Sequence, residues 1–186
     1  MQHQRGNKTW TRNKARRYKY DWASEVEVGQ FLYAFVRMVK PESVLEIGTF
    51  EGDAAIAIGN GLSDNKLGHL TTLDIKNFGQ KENIHNKHLD RYVDCLITDG
   101  NYSTEFLNTA KCDLIFIDDG HSYSEALRDL CIADSICISK GYILGHDVLS
   151  HEGVARAYEE FLGTHKNYDS IILESFNGLF MLRKND

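Results

Sequence analysis

Val44-Leu45-Glu46-Ile47-Gly48-Thr49-Phe50-Glu51-Gly52 is an apolar run that ends in an acidic residue and two glycines. A strand stopping at glycines predicts a strand-to-helix turn with bare main chain, which a ligand's adenosyl or amino acid portion could approach. The same pattern also fits an ordinary tight turn. What surrounds it decides between the two.

On its N-terminal side, Ser24 and Glu27 have the spacing of a capping box. Val28, Phe31, Leu32, Phe35, Val36 and Val39 then recur at helical spacing up to Pro41, the chain's only proline. On its C-terminal side, β-rich runs alternate with helical ones. A helix is predicted from about 52, a strand at 69–74, a helix through the eighties, a strand at 94–98 and a helix near 103–110. Asp113-Leu114-Ile115-Phe116-Ile117 is apolar on both faces, as a strand covered on both sides requires, and is therefore placed centrally. A helix from Ser122 to Ser139 carries Ala126, Leu127, Leu130, Ala133, Ile136 and Cys137 on one stripe; Gly141 ends it and a strand at 142–146 follows. After a helix over 153–162, strands at 168–174 and 178–183 are separated only by Ser175-Phe176-Asn177. So short a link allows only an antiparallel pair, because a parallel pair needs a crossover of about a dozen residues. The expected fold is a Rossmann-like α/β domain: a seven-stranded, mostly parallel sheet, an antiparallel C-terminal hairpin, and helices on both faces.

The chain has 186 residues, which suits one domain over 22–186. Residues 1–21 form a separate basic segment: positions 1–20 hold seven Lys/Arg and no acid, against a net charge of -6 for the whole chain. A short basic arm on an acidic body argues against nucleic acid as the partner. There is no apolar run of the roughly 20 residues that span a bilayer, nor an apolar N-terminal signal segment, so a cytoplasmic protein with no membrane partner is expected. Cys95, Cys112, Cys131 and Cys137 lack paired spacing, and neither a disulfide nor a zinc site is expected.

In open α/β sheets, ligands bind beyond the carboxyl ends of the strands. Those ends are acidic here: Asp74, Asp99, Asp118, Asp119 and Asp147. Asp74, in Leu73-Asp74-Ile75, follows Gly48 by 26 residues, where a carboxylate can accept from ribose hydroxyls. Asp99-Gly100 could accept from an adenine amino group, or be a simple turn pair. Asp118 and the pair His146-Asp147 close adjacent strands and form a candidate seat for a divalent cation, Mg2+ or another, although Mg2+ prefers oxygen to a histidine. His121, three residues after Asp118, is a candidate general base. His85 and His88, flanked by Lys81, Lys87 and Asp90, read as a solvated helix face.

Together these residues resemble the class I S-adenosylmethionine-dependent methyltransferases over about residues 24–184. Glu46-Ile47-Gly48-Thr49-Phe50-Glu51-Gly52 is similar to their first motif as catechol O-methyltransferase-like enzymes carry it, with Phe50 lining the methionine end. The run Asp113–Asp129 (DLIFIDDGHSYSEALRD), GYILGHDV over 141–148 and Gly153-Val154 resemble a small methyltransferase family related to cephalosporin hydroxylase-like and macrolide-sugar O-methyltransferases. The resemblance implies S-adenosylmethionine held by Glu46, Gly48, Thr49, Phe50, Gly52, Asp74, Ile75, Asp99, Gly100 and Asp118. It implies a cation on Asp118, His146 and Asp147, with catalysis by His121 and Asp118. Two departures stand out: His146 replaces an acidic residue of metal-dependent relatives, and Asp-Asp-Gly-His replaces their Asp-Gly-Asp-His. The expected reaction is O-methylation of a hydroxyl on a sugar or other small molecule, by a monomer or a homo-oligomer. A nicotinamide-dependent oxidoreductase and a non-catalytic cofactor-binding or docking module are the alternatives; the former is disfavoured by the missing GxGxxG.

Overall fold

The computed structural model of the chain describes residues 25–99, 107 and 109–186. Along these residues run α1 (Val26–Val39), β1 (Ser43–Ile47), α2 (Asp53–Asn65), β2 (His69–Asp74), α3 (Gln80–Asn86) and β3 (Val93–Ile97). They are followed by β4 (Cys112–Ile117), α4 (Tyr123–Ile136), β5 (Cys137–His146), α5 (Glu152–Thr164), β6 (Tyr168–Leu173) and β7 (Leu179–Lys184). The expected basic segment and most of the expected helix near 103–110 lie outside the described residues.

One seven-stranded sheet has the order β3-β2-β1-β4-β5-β7-β6. The first five strands pair in parallel, while β7 runs antiparallel to both β5 and β6. The centre of this order is β4, and its alternation explains why its sequence is apolar throughout. Leu114 and Phe116 pack with Val28, Leu32 and Ile58 of α1 and α2, whereas Ile115 and Ile117 pack with Leu130 and Phe161 of α4 and α5. Each face of the sheet therefore has its own helical layer and its own core.

Two boundaries differ from the sequence reading. The helix expected to reach Ser139 ends at Ile136, and the strand expected at 142–146 begins at Cys137. Cys137 pairs with Cys112, and the register then shifts before Tyr142 meets Leu114, with Lys140 in the left-handed region at φ 64°. Apolar periodicity is blind to this switch because Ile136 and Cys137 are buried in either conformation. A contact from distant sequence marks the end: Lys184 Nζ donates to the carbonyls of Asp134 and Cys137 at 2.7 and 3.2 Å, satisfying acceptors at the helix C-terminus. At the other end of the chain α1 starts at Val26 with Glu25 as its N-cap, so Glu27 falls one place short of the capping-box position. Ser24 lies outside the described residues. No helix of the described residues is long and apolar enough to cross a membrane.

Candidate functional site

Strand order reverses between β1 and β4, since the chain runs outward to β3 on one side and to β5 on the other. Such a switch point leaves a crevice beyond the strand ends because the flanking connections diverge. Gly48 and Asp118 meet there: the Asp118 N–H donates to the Ile47 carbonyl at 2.8 Å. Gly48 has φ 91°, and a Cβ on it would lie 2.2 Å from the Asp118 carbonyl oxygen. What meets Gly48 on its Cβ side is the protein's own chain. Gly52 has φ 93° with only ordinary neighbours, and its left-handed backbone starts α2. Between them Phe50 holds φ 48°, a conformation few side chains adopt.

On the β1–β2 side, Asp74 fastens this loop. Its Oδ2 accepts the Thr49 and Phe50 N–H groups at 3.1 and 2.8 Å, and its Oδ1 accepts that of Lys76 at 2.9 Å. A carboxylate offers about four acceptor positions, so a ribose would have to share Asp74 with the main chain. Glu46 lies deeper. It is fully buried, it receives the Thr72 hydroxyl, and Thr72 in turn bonds Thr49. Alternation along β1 puts Glu46 on the face of Val44, and through Thr72 and Thr49 it is tied to the turn that follows. Burial pushes its carboxyl up to about 8, with Thr72 opposing the rise. Above the loop, Ile75 and Phe78 are exposed and the Phe50 and Phe78 rings lie 4.9 Å apart. Exposed apolar faces beside a fixed carboxylate fit a ligand of adenosyl type, apolar on its faces and polar at its edges. Asp99 is exposed beyond β3, and Gly100 lies outside the described residues.

On the β4–β5 side the structure brings Asp118, His146 and Asp147 together, each offering an atom within 4.8 Å of the others. The His146 ring is 3 % exposed. Its Nε2 faces Glu25 Oε2 at 2.5 Å, while its Nδ1 lies 3.3 Å from Asp118 Oδ1 and 3.5 Å from Asp147 Oδ1. Burial alone would lower the basicity of this ring, but the carboxylates around it push it up to about 10. The partners respond in kind. Burial would raise Glu25 and Asp147, yet the histidines against them hold both below their ordinary values. A hard cation takes oxygen ligands and a histidine ligand must give a lone pair. With a carboxylate at each nitrogen, His146 has none to give.

His121 sits at the crevice mouth with a half-exposed side chain, its Nε2 2.6 Å from Asp147 Oδ2. That hydrogen bond, with burial opposing it, raises the ring above its ordinary pKa. Asp147 is at φ 66°, and its Oδ1 accepts from Ser150 Oγ at 2.9 Å, so the carboxylate is held from both ends. His121 is held through its main chain as well. Ser122 caps α4 in a full capping box with Glu125, and a Cβ on Gly153 of α5 would lie 2.3 Å from the His121 carbonyl. A crevice lined by Ile117, Asp118, His121, His146, Asp147 and Phe180 runs between these groups.

Sequence reasoning missed three contributors. Glu25 is 3 % exposed and reaches the site from the far N-terminal side of the domain; nothing local marks it. His151 stacks on His121 with ring centroids 4.0 Å apart, and its position four residues after Asp147 was a usable signal. Thr72 reads as an ordinary strand residue, though it carries the Glu46 contact. His85, by contrast, pairs with Asp90 at 2.9 Å on the exposed surface, as its polar surroundings suggested.

Residues 45–148 match the sequence model of a family described as a methyltransferase domain. Comparison with curated proteins gives no match. Among solved structures the chain is similar to the S-adenosylhomocysteine-bound methyltransferase PaMTH1 of Podospora anserina, with TM-score 0.75 and 22% identity over 89% of this chain and 81% of that one. It is similar to an O-methyltransferase from Bacillus cereus in complex with S-adenosylhomocysteine, with TM-score 0.75 and 19% identity over 89% and 84% of the two chains. A third is the O-methyltransferase TomG of Streptomyces achromogenes, involved in tomaymycin synthesis and solved with S-adenosylmethionine, with TM-score 0.73 and 19% identity over 89% and 83%. At these identities the likeness establishes the fold.

Proposed function

The chain belongs to the methyltransferase-domain family, and from that premise we propose that it transfers a methyl group from S-adenosylmethionine to a hydroxyl of a sugar or other small molecule. The observation that carries the oxygen-directed part is the His121–Asp147 pair, 2.6 Å apart at the crevice mouth.

Asp74, Ile75 and Asp99 would receive the adenosine portion, and Thr49 and Phe50 the methionine end. When bound, the cofactor supplies an electrophilic methyl group and its own leaving group. The protein's task is then to align the acceptor oxygen and take its proton. Asp147 accepts from His121 Nε2–H, which fixes the tautomer and leaves Nδ1 as the basic nitrogen. Ser150 on the other carboxylate oxygen and His151 stacked on the ring keep that nitrogen aimed. The proton leaves the acceptor hydroxyl for His121 Nδ1 and passes from there to solvent, to which the side chain is open. A base of raised pKa works only once deprotonated, so activity should rise with pH through a midpoint above the ordinary histidine value of about 6.5.

Parallel calorimetric titrations with S-adenosylhomocysteine and NAD test the cofactor assignment. One S-adenosylhomocysteine per chain and no heat from NAD is the expected result; the reverse would replace the reading with the oxidoreductase.

A further inference from the structure

Buried Glu25, His146 and Asp147 and half-buried Asp118 meet at the ends of β4 and β5 in a donor set unlike that of a cation site. Carboxylates only accept hydrogen bonds. A ring with Glu25 Oε2 at 2.5 Å on one nitrogen and Asp118 Oδ1 at 3.3 Å on the other must carry a proton on each to satisfy both. It then has no lone pair for a metal, and its own charge sits among the acids. The ring is also locked in place. Glu25 is 3 % exposed and its second oxygen accepts the Asn177 N–H at 2.7 Å, so Glu25 cannot follow a displaced ring. Swinging His146 aside would leave a buried carboxylate uncompensated, which is costly. Asp147 is engaged as well, with Oδ2 on His121 and Oδ1 on Ser150.

We propose that the Asp118, His146 and Asp147 cluster takes no divalent cation, and that His146, clamped by Glu25, is the built-in cation that holds Asp118 and Asp147 together. Glu25 and His146 are thus positioning residues: they set the carboxylate that orients His121. The metal statement stands on the cluster alone, whereas its bearing on catalysis rests on the methyl-transfer reading.

Mn2+ titration of the full-length protein, followed by electron paramagnetic resonance, tests this without any turnover. Wild type should leave the Mn2+ signal that of the free ion up to millimolar concentration, and added Mg2+ should not move its thermal midpoint. His146→Asp removes the internal cation and supplies a third clustered oxygen donor, a set that suits a hard cation. It should bind one Mn2+ per chain at least about tenfold more tightly than wild type, a difference of about 1.4 kcal/mol or more, and Mg2+ should raise its midpoint. One Mn2+ bound per wild-type chain, displaced by Mg2+ and lost in Asp118→Asn, would overturn the proposal. So would a folded His146→Asp with no gain over wild type. Should that variant not fold, the wild-type titration decides alone. Binding of S-adenosylhomocysteine, measured separately, reports on the methyl-transfer reading and not on the cation.

Discussion

The two sides of the crevice bury acids at comparable depth and treat them in opposite ways. Under the glycine loop, Glu46 is fully buried with the Thr72 hydroxyl as its donor, and burial lifts it to about 8. Across the crevice, Glu25 is 3 % exposed and Asp147 6 %, yet both are held below their ordinary values. The difference is the histidines: His146 beside Glu25, and His121 with His146 beside Asp147. A buried carboxyl without a cation saves its desolvation cost by keeping its proton, whereas one beside an imidazolium gives that proton up. Glu46 is therefore a neutral support for a loop, and the second side a charged machine that orients a base.

Removing the cation should break this contrast most forcefully. His146→Leu leaves the buried Glu25 and Asp147 without their cation beside half-buried Asp118, and a loss of about 3–5 kcal/mol in urea unfolding is expected. A loss below about 1 kcal/mol would mean that the carboxylates are not charged in the wild type.

Next comes the base that the charged side serves. His121→Ala should lower kcat by roughly 100- to 10,000-fold with S-adenosylhomocysteine affinity unchanged in calorimetry. Equal loss of both would assign His121 to cofactor binding.

Gly48→Ala probes the seam where the two sides touch. With φ 91° and a new Cβ 2.2 Å from the Asp118 carbonyl, it should cost about 1–3 kcal/mol by denaturation. It should also weaken both S-adenosylhomocysteine binding and turnover, since each side of the crevice is displaced.

The smallest effect is the most diagnostic. Glu46→Gln should be nearly neutral at acid pH, where the wild-type carboxyl is protonated in both folded and unfolded chains. The folded value of about 8 exceeds the ordinary 4.5, so the contribution of Glu46 is present below 4.5 and lost as pH rises towards 8. Wild type should therefore fall behind the variant across that window in pH-dependent urea melts. The charged side behaves differently. Stability from Glu25 and Asp147 is present above their ordinary values and lost as pH falls through their lowered ones. That from His146 is present below 6.5 and lost as pH rises through about 10.

The fold was legible because its signals are local. Gly48 and Gly52, the apolar run of β4 and the three-residue link at Ser175–Asn177 each act on their own neighbours. Strand-end acids were legible for the same reason, since the ends of parallel strands converge by topology. The burial of Glu46 and the approach of Asp118 to Gly48 were not legible, because both are properties of the packed sheet; the sequence shows an acid and a glycine, but not which way each faces. Glu25 was illegible outright: 121 residues separate it from the ring it clamps.

Long-range nitrogen–proton NMR correlation of the histidine rings at pH 8 addresses the central contrast directly. Both nitrogens of His146 should carry protons, with the shifts of an imidazolium, while the neutral form of His121 should keep its proton on Nε2. A His146 ring protonated on one nitrogen only would contradict the charged side of the crevice and, with it, the account of how His121 is oriented.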